Sequence, residues 1–178
     1  MPLPDTSAPP PREAWLRGPV AGVPALVQPV AHALVQARDE VAALAAELPP
    51  DALWDRPGGA ASAGFHLAHL AGVLDRMLTY ARGEPLAERQ LAALASEGVP
   101  NPDATPVALA DAFARSVDAA LAQLRATDPT TLTDARTVGR QQILQTHIGL
   151  LVHAAEHTTR HVGQLLVTVR VVTAGPRQ

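Results

Sequence analysis

Four long segments of the chain place aliphatic and alanine side chains at three- and four-residue steps, the pattern of a helix with one buried face. The pattern is clearest at Leu34, Ala37, Val41, Leu44 and Leu48. Pro, Gly, Ser and Thr punctuate the chain between these segments. The sequence predicts long helices over residues 24–48, 62–82, 106–126 and 139–172 and a short one over residues 85–96. Outside the Val-rich helix ends we find no strand signal.

Four long helices and one short helix in a single domain predict an all-α fold, a four-helix bundle. Aromatic residues make up only 3% of the chain against 47% hydrophobic residues, so the core is expected to be aliphatic and closely packed. The connection over residues 83–105 is long enough for a crossover. We therefore expect an up-down-down-up arrangement of the long helices, in preference to a simple meander.

Three regions divide the chain. Residues 1–23 are rich in proline and predict a flexible N-terminal tail, residues 24–173 form the bundle domain, and residues 174–178 are a short C-terminal tail. No apolar run approaches the ~20 residues that span a bilayer, and no basic start is followed by an apolar core. We expect a cytoplasmic protein with no membrane partner.

Cysteine is absent, which excludes disulfides, thiolate metal sites and cysteine nucleophiles. Any metal must therefore bind nitrogen or oxygen ligands. The net charge is −3, and the fourteen basic residues are all arginines without a run of adjacent ones. This distribution argues against a nucleic-acid partner.

Six of the seven histidines fall in two predicted helices. A helical wheel turns His157 and His161 toward the core, and His66 and His69 also lie on an inner face. Residues four apart on a helix stand ~6 Å apart along its axis, so their imidazoles can converge on one ion. His157 belongs to both candidate pairs, with His153 and with His161, and His161 lies nearer the middle of the inward stripe.

A mononuclear centre needs a third ligand from a facing helix, for which we prefer His69 over His66. Three neutral imidazoles leave a coordination position open, as in catalytic sites. Zinc is the default ion, while Ni²⁺, Co²⁺, Fe²⁺ and Mn²⁺ also suit nitrogen ligands. A lone histidine on an apolar face is more often a hydrogen-bonded core residue, and we assign that structural role to His32 and to His147, which lies ~15 Å along the axis from His157.

Other residues near the inner faces are further candidates, and two of them have two possible roles each. Arg76 is interpreted either as a residue that binds a substrate carboxylate or as the partner of an acidic neighbour in an ion pair. Gln164 orients a ligand or makes an interhelical hydrogen bond, and Tyr80 shares the inner face of the second helix as a candidate for contacting substrate. Gly72 and Gly163 are expected to permit close helix approach.

Two segments carry a resemblance to a known family: Ser62-Ala-Gly-Phe-His-Leu-Ala-His69, and His153-Ala-Ala-Glu-His157-Thr-Thr-Arg-His161-Val-Gly-Gln164. With these motifs, residues 25–172 resemble the DinB-like family of metalloenzymes. The family pattern has one histidine on the second helix and a His-x-x-x-His pair on the last. Carried over by motif position, the resemblance implies His69, His157 and His161 as ligands. His66 and His153 are not part of the general pattern, which leaves open whether either is an outer partner or an alternative ligand.

The resemblance also implies a range of activities. Characterised relatives include transferases and isomerases that use low-molecular-weight thiols such as bacillithiol or mycothiol. We therefore expect one divalent transition metal per chain, Zn²⁺ before Ni²⁺, that activates a thiol cosubstrate for S-transfer or a water for hydrolysis of a small molecule. A homodimer is expected on the same basis. The alternative is a stress-related helical bundle that binds metal without catalysis.

Overall fold

The computed structural model describes residues 12–174, and these residues form a mainly helical bundle. The α-helices and the two strands are α1 Gln28–Glu47, α2 Ala63–Ala81, α3 Glu88–Ser96, α4 Pro106–Ala126, β1 Ala135–Val138, β2 Ile143–Thr146 and α5 His147–Ala174. The predicted all-α class is confirmed, and α1 to α4 begin and end within a few residues of the predicted positions.

Two helices begin at a residue whose side chain caps the helix. The Ser62 hydroxyl accepts a hydrogen bond from the backbone N–H of Phe65 at the start of α2. Thr105 does the same for Ala108 at the start of α4. Each cap satisfies one of the amide groups that a helix start leaves without an internal partner.

Side-chain contacts at the ends of the helices establish the directions in which the helices run. The Gln123 amide donates to the Leu78 carbonyl, so the C-terminal ends of α2 and α4 lie together. Arg170 pairs with Glu47 at 2.8 Å, which brings the ends of α1 and α5 together. Arg125, in the last turn of α4, reaches the segment that precedes α1. Thus α1 and α5 run one way and α2 and α4 the other, the up-down-down-up order that the long connection predicted.

Residues 135–146 correct the predicted start of the last helix at residue 139. They form an antiparallel hairpin that pairs Val138 with Ile143. Gly139 and Gln142 have φ angles of 67° and 50°, which a right-handed helix does not contain. The helix begins only after Thr146, whose hydroxyl accepts from the Gly149 N–H. Strands of four mostly exposed residues are too short to show a clear alternation in the sequence.

Residues 12–23 lie against the bundle, although the sequence predicted them as part of a flexible tail. The Ala14 N–H donates to the Gln36 side chain at 2.8 Å, and the Gln28 amide bonds to the carbonyls of Val20 and Val23. Polar side chains of α1 thus hold a segment that has no apolar period of its own. The rest of the predicted N-terminal tail, residues 1–11, and residues 175–178 lie outside the described part of the chain.

The core is aliphatic, as the composition predicted. Within residues 12–174 the largest fully buried side chains are mainly leucine and valine, with Phe113 the one aromatic ring among them. No helix within residues 12–174 is both long and apolar enough to cross a membrane.

Gly64 provides a stability test with a matched control. A Cβ built on Gly64 would lie 2.7 Å from the Trp54 ring, whereas one on Gly163 would meet no atom within 4 Å. We expect Gly64→Ala to lower the free energy of unfolding by about 1–3 kcal/mol through overpacking. Gly163→Ala should raise it by up to about 1 kcal/mol, because alanine favours a helix. Urea unfolding measures both, and equal midpoints for the two variants would contradict this packing.

Candidate metal centre

Three histidines meet where α2 packs against α5. His69 of α2 and His157 and His161 of α5 each offer one ring nitrogen, and these three atoms lie within 4.8 Å of one another. The Nε2 atoms of His69 and His157 are 3.0 Å apart. The ring centroids of His69 and His161 are separated by 4.4 Å and those of His157 and His161 by 4.6 Å. The structure therefore brings together the three residues that the sequence selected as ligands.

This donor set fits a divalent transition metal. Two nitrogens bound to one tetrahedral zinc ion stand about 3.3 Å apart, since each Zn–N bond is about 2.0–2.1 Å. The 3.0 Å between the Nε2 atoms of His69 and His157 is close to that value, and all three nitrogens lie within 4.8 Å of one another. The i, i+4 spacing on α5 gives two ligands from one face, and α2 supplies the third from the facing helix.

A buried carboxylate holds the far side of the His69 ring. Glu97, which directly follows α3, accepts a hydrogen bond from His69 Nδ1 at 2.7 Å. Its other oxygen accepts from Arg76 Nη1 at 2.5 Å, and the Arg76 and Glu97 side chains are each only 6% exposed. A carboxylate behind a histidine is the usual outer partner of a metal-binding imidazole, because it fixes the tautomer and the ring orientation. With Nδ1 occupied by this bond, His69 Nε2 faces the other two rings.

The sequence analysis did not select Glu97. For Arg76 it left open a substrate clamp or an ion pair with an acidic neighbour, and the structure places Arg76 in the ion pair. The one signal for Glu97 was this predicted need of Arg76 for an acidic partner. Gly72 makes room for the pair, because a Cβ at that position would overlap Glu97 Oε1. The close approach predicted at Gly72 is thus to the carboxylate.

His66 lies behind the cluster. Its side chain is buried, and its Nδ1 is 3.0 Å from Nδ1 of His161. With Nδ1 engaged in this hydrogen bond, Nε2 is the nitrogen of His161 that remains for an ion. His66 is outside the group of converging nitrogens and has the position of an outer partner.

The remaining candidates lie away from the three nitrogens. His153 is half-exposed, with Nδ1 3.4 Å from Glu156, and its ring centroid is 5.5 Å from that of His157. Gln164 is exposed, and the interhelical hydrogen bond predicted for it is absent among residues 12–174. Tyr80 packs on the core and is ~16 Å along α2 from His69.

Three further predictions concern residues outside the cluster. His147 is buried beside Thr131, and His32 lies near the Gly18 carbonyl, both in the structural role predicted for them. The prediction that Gly163 allows close helix approach is wrong, because no atom lies within 4 Å of its Cβ position.

Burial lowers the pKa values of three histidines at the cluster, His161, His157 and His66. Burial first, and then charge on the neighbouring His69, His157 and His66 rings, lowers the pKa of His161 to about 4. The pKa values of His157 and His66 are also lowered, first by burial and then by the charge of His69. Neutral imidazoles carry the lone pairs that a metal requires.

The pKa of the Glu97 carboxyl is also lowered, which for an acid favours the charged form. Burial by itself raises its pKa, but hydrogen bonds from His69 and Arg76 outweigh burial and lower the pKa overall. The carboxylate is therefore anionic behind the His69 ring. An aromatic ring completes the surroundings: Phe65 stacks on His69 with centroids 5.3 Å apart.

Glu97→Gln tests the outer carboxylate. The variant keeps the side-chain shape but loses the negative charge that orients His69, so zinc affinity should fall by about 10- to 100-fold. Competition with a chromophoric chelator measures the affinity. Glu156→Gln is the matched control, because Glu156 is exposed and pairs with Arg160 and His153 on the surface of α5. If both variants bind zinc like wild type, Glu97 has no orienting role.

Comparisons with known proteins agree with the fold and the motifs. A family model described as the DinB superfamily matches residues 33–165. The structure is similar to the crystal structure of a conserved protein from Enterococcus faecalis, with a TM-score of 0.63 and 21% sequence identity. The match covers 84% of this chain and 98% of that one and, at this identity, shows the fold alone. No curated protein matches the sequence. The family match contains α2 and both histidines of the α5 pair, and the chain belongs to the DinB superfamily.

Proposed function

We propose that this protein binds one divalent transition metal through His69, His157 and His161 and is a metal-dependent enzyme that acts on a small molecule. The observation that carries the proposal is the convergence of three imidazole nitrogens from two helices within 4.8 Å. Zn²⁺ is the first choice and Ni²⁺ the second, because both accept imidazole nitrogen. S-transfer from a low-molecular-weight thiol and hydrolysis are the two reaction types considered.

The chain's own groups have defined roles in this proposal. Glu97 accepts the Nδ1 proton of His69, and His66 accepts the Nδ1 proton of His161, so both ligand rings keep Nε2 free. Phe65 covers one face of His69 and excludes water from it. A bound ion lowers the pKa of a coordinated thiol or water and so supplies a nucleophile at neutral pH. His153, half-exposed and one turn from His157, is the side chain we propose to take up a substrate proton.

Thiol consumption tests the reaction. Protein reconstituted with zinc would be incubated with a low-molecular-weight thiol and a panel of electrophiles, and free thiol would be followed over time. Thiol loss faster than with His157→Ala supports S-transfer, whereas loss of substrate without loss of thiol supports hydrolysis. A flat result across the panel with metal-loaded protein favours a metal-binding bundle that takes part in a stress response without catalysis.

The remaining proposals rest on the family resemblance and the composition. We propose a cytoplasmic homodimer with a small-molecule substrate and no nucleic-acid partner. Size-exclusion chromatography with light scattering measures the mass in solution, and a mass of one chain would contradict the dimer.

A further inference from the structure

A cavity of about 840 Å³ lies between α2, α3 and α4, on the side of α2 that faces α4. Its volume is within the ~300–1,000 Å³ range of pockets that hold small organic ligands. None of the three clustered histidines lines it. The proposed metal chemistry therefore does not use this space, which we call the α3 cleft.

Small side chains create the cleft. The walls that α2 and α4 contribute include Ala68, Ala71, Gly72, Ala112 and Ala119. Larger side chains would close the groove between these two parallel helices, but here it stays open. The chain crosses over it through α3 and the following residues 97–104, and Trp54 lies at the end near Asn101. The interior is thus a largely apolar slot, suited to the body of an apolar molecule.

The acidic groups that line the cleft already have partners. Asp75 accepts a hydrogen bond from Gln90 at 2.8 Å and pairs with Arg89 at 3.5 Å. Glu97 is held by Arg76 and His69, as described above. Neither carboxylate therefore presents an unpaired negative charge to a ligand in the cleft.

The three lining arginines differ in their contacts. Arg82 pairs with Glu84 and bonds to Gln123, and Arg89 pairs with Asp75. Arg115, which projects from α4, makes no hydrogen bond or ion pair with any residue of the range 12–174. The cleft therefore combines an apolar slot with one guanidinium that has no protein partner, and a guanidinium binds carboxylate or sulfonate strongly through its fork of N–H groups.

We propose that the α3 cleft binds a small amphiphile with a single negative charge, its apolar body between α2 and α4 and its carboxylate or sulfonate on Arg115. Because Arg115 is the one lining arginine without a partner among residues 12–174, we expect the ligand to carry one anionic group. The alanine walls favour an aliphatic or aromatic body over a sugar or a nucleotide, which need many polar partners. The cleft shares Glu97 with the surroundings of the metal centre but contains none of the three ligand histidines, so its ligand is expected to bind without the metal.

Anilinonaphthalene sulfonate, a fluorescent monoanion with an apolar body, is a direct probe. It should bind saturably with one site per chain and accept energy from Trp54, measured in a Trp15→Phe background where Trp54 is the only tryptophan. Arg115→Gln should weaken binding about tenfold, the loss of one charge-assisted hydrogen-bonded contact. Ala119→Leu should weaken it by filling the cleft. Arg170→Gln on α5, outside the cleft, is the control and should bind like wild type.

Two further measurements are needed. One distinguishes the contribution of the ligand's charge from that of its apolar body, and the other distinguishes binding in the cleft from binding at the metal centre. Octanoate should displace the probe, whereas octanol at the same concentration should not. His157→Ala should bind the probe like wild type, so loss of metal and loss of the cleft ligand are distinguishable. Far-ultraviolet circular dichroism confirms that each variant is folded. Equal affinities for Arg115→Gln and Arg170→Gln, or equal displacement by octanoate and octanol, would overturn the proposal.

Discussion

A His157→Ala variant is expected to purify without metal, while the wild-type chain carries about one divalent ion. His157 Nε2 is 3.0 Å from His69 Nε2, and its ring lies beside that of His161 on the same helix face. Without it, one nitrogen from each helix remains. Loss of an outer partner lowers metal affinity by about 10- to 100-fold, and loss of a direct ligand should exceed that.

His153→Ala is the matched control. It is the same chemical change one turn earlier on α5, at a half-exposed residue outside the group of converging nitrogens. Both variants and wild type would be prepared without a polyhistidine tag, loaded with zinc, passed through a desalting column and analysed for metal by mass spectrometry. His153→Ala should keep the wild-type content. Stoichiometric metal in His157→Ala would remove the proposed centre, and with it the enzymatic proposal.

The helices and the histidine cluster could be predicted because their signals are local. Apolar periodicity, the Ser62 and Thr105 caps and the proline stops depend on neighbours within a few residues. The i, i+4 spacing of His157 and His161 is equally local, since it fixes a shared helix face whatever the surroundings. Even the order of the helices followed from the length of one connection.

Glu97 depends instead on packing between distant parts of the chain. It is 28 residues from His69 in sequence and reaches it because α3 packs on α2. No spacing rule relates a residue that follows one helix to the middle of another. The role of His66 was open for the same reason: a helical wheel places His66 and His69 on one face, but only the position of α5 decides which ring meets His157 and which lies behind His161.

The hairpin shows a different limit. Its turn requires positive φ at Gly139 and Gln142, and glutamine gives no hint of that conformation. The strands are short and largely exposed, so they carry no apolar alternation, and Arg136 attaches them to α2 through the Ala81 carbonyl at 2.9 Å. Tertiary contacts therefore select the hairpin over the helix that the sequence predicted from residue 139.

Arg76→Met is expected to destabilise the fold strongly, by about 3–5 kcal/mol. The substitution removes a buried guanidinium and leaves the Glu97 carboxylate, itself only 6% exposed, without its ion-pair partner. A buried pair contributes little net stability as a pair, but breaking it on one side leaves an uncompensated charge in a poorly solvated place. Arg82→Met, at the exposed end of α2, breaks a surface pair and should lose less than about 1 kcal/mol.

The double variant Arg76→Met/Glu97→Gln separates charge from packing. Because it removes the stranded charge together with its partner, it should be more stable than Arg76→Met alone, although it has lost more native contacts. Urea unfolding of the wild type, both single variants and the double variant completes the cycle. If the double variant is as unstable as Arg76→Met or less stable, the guanidinium acts through its packing, and Glu97 does not depend on it for charge compensation behind His69.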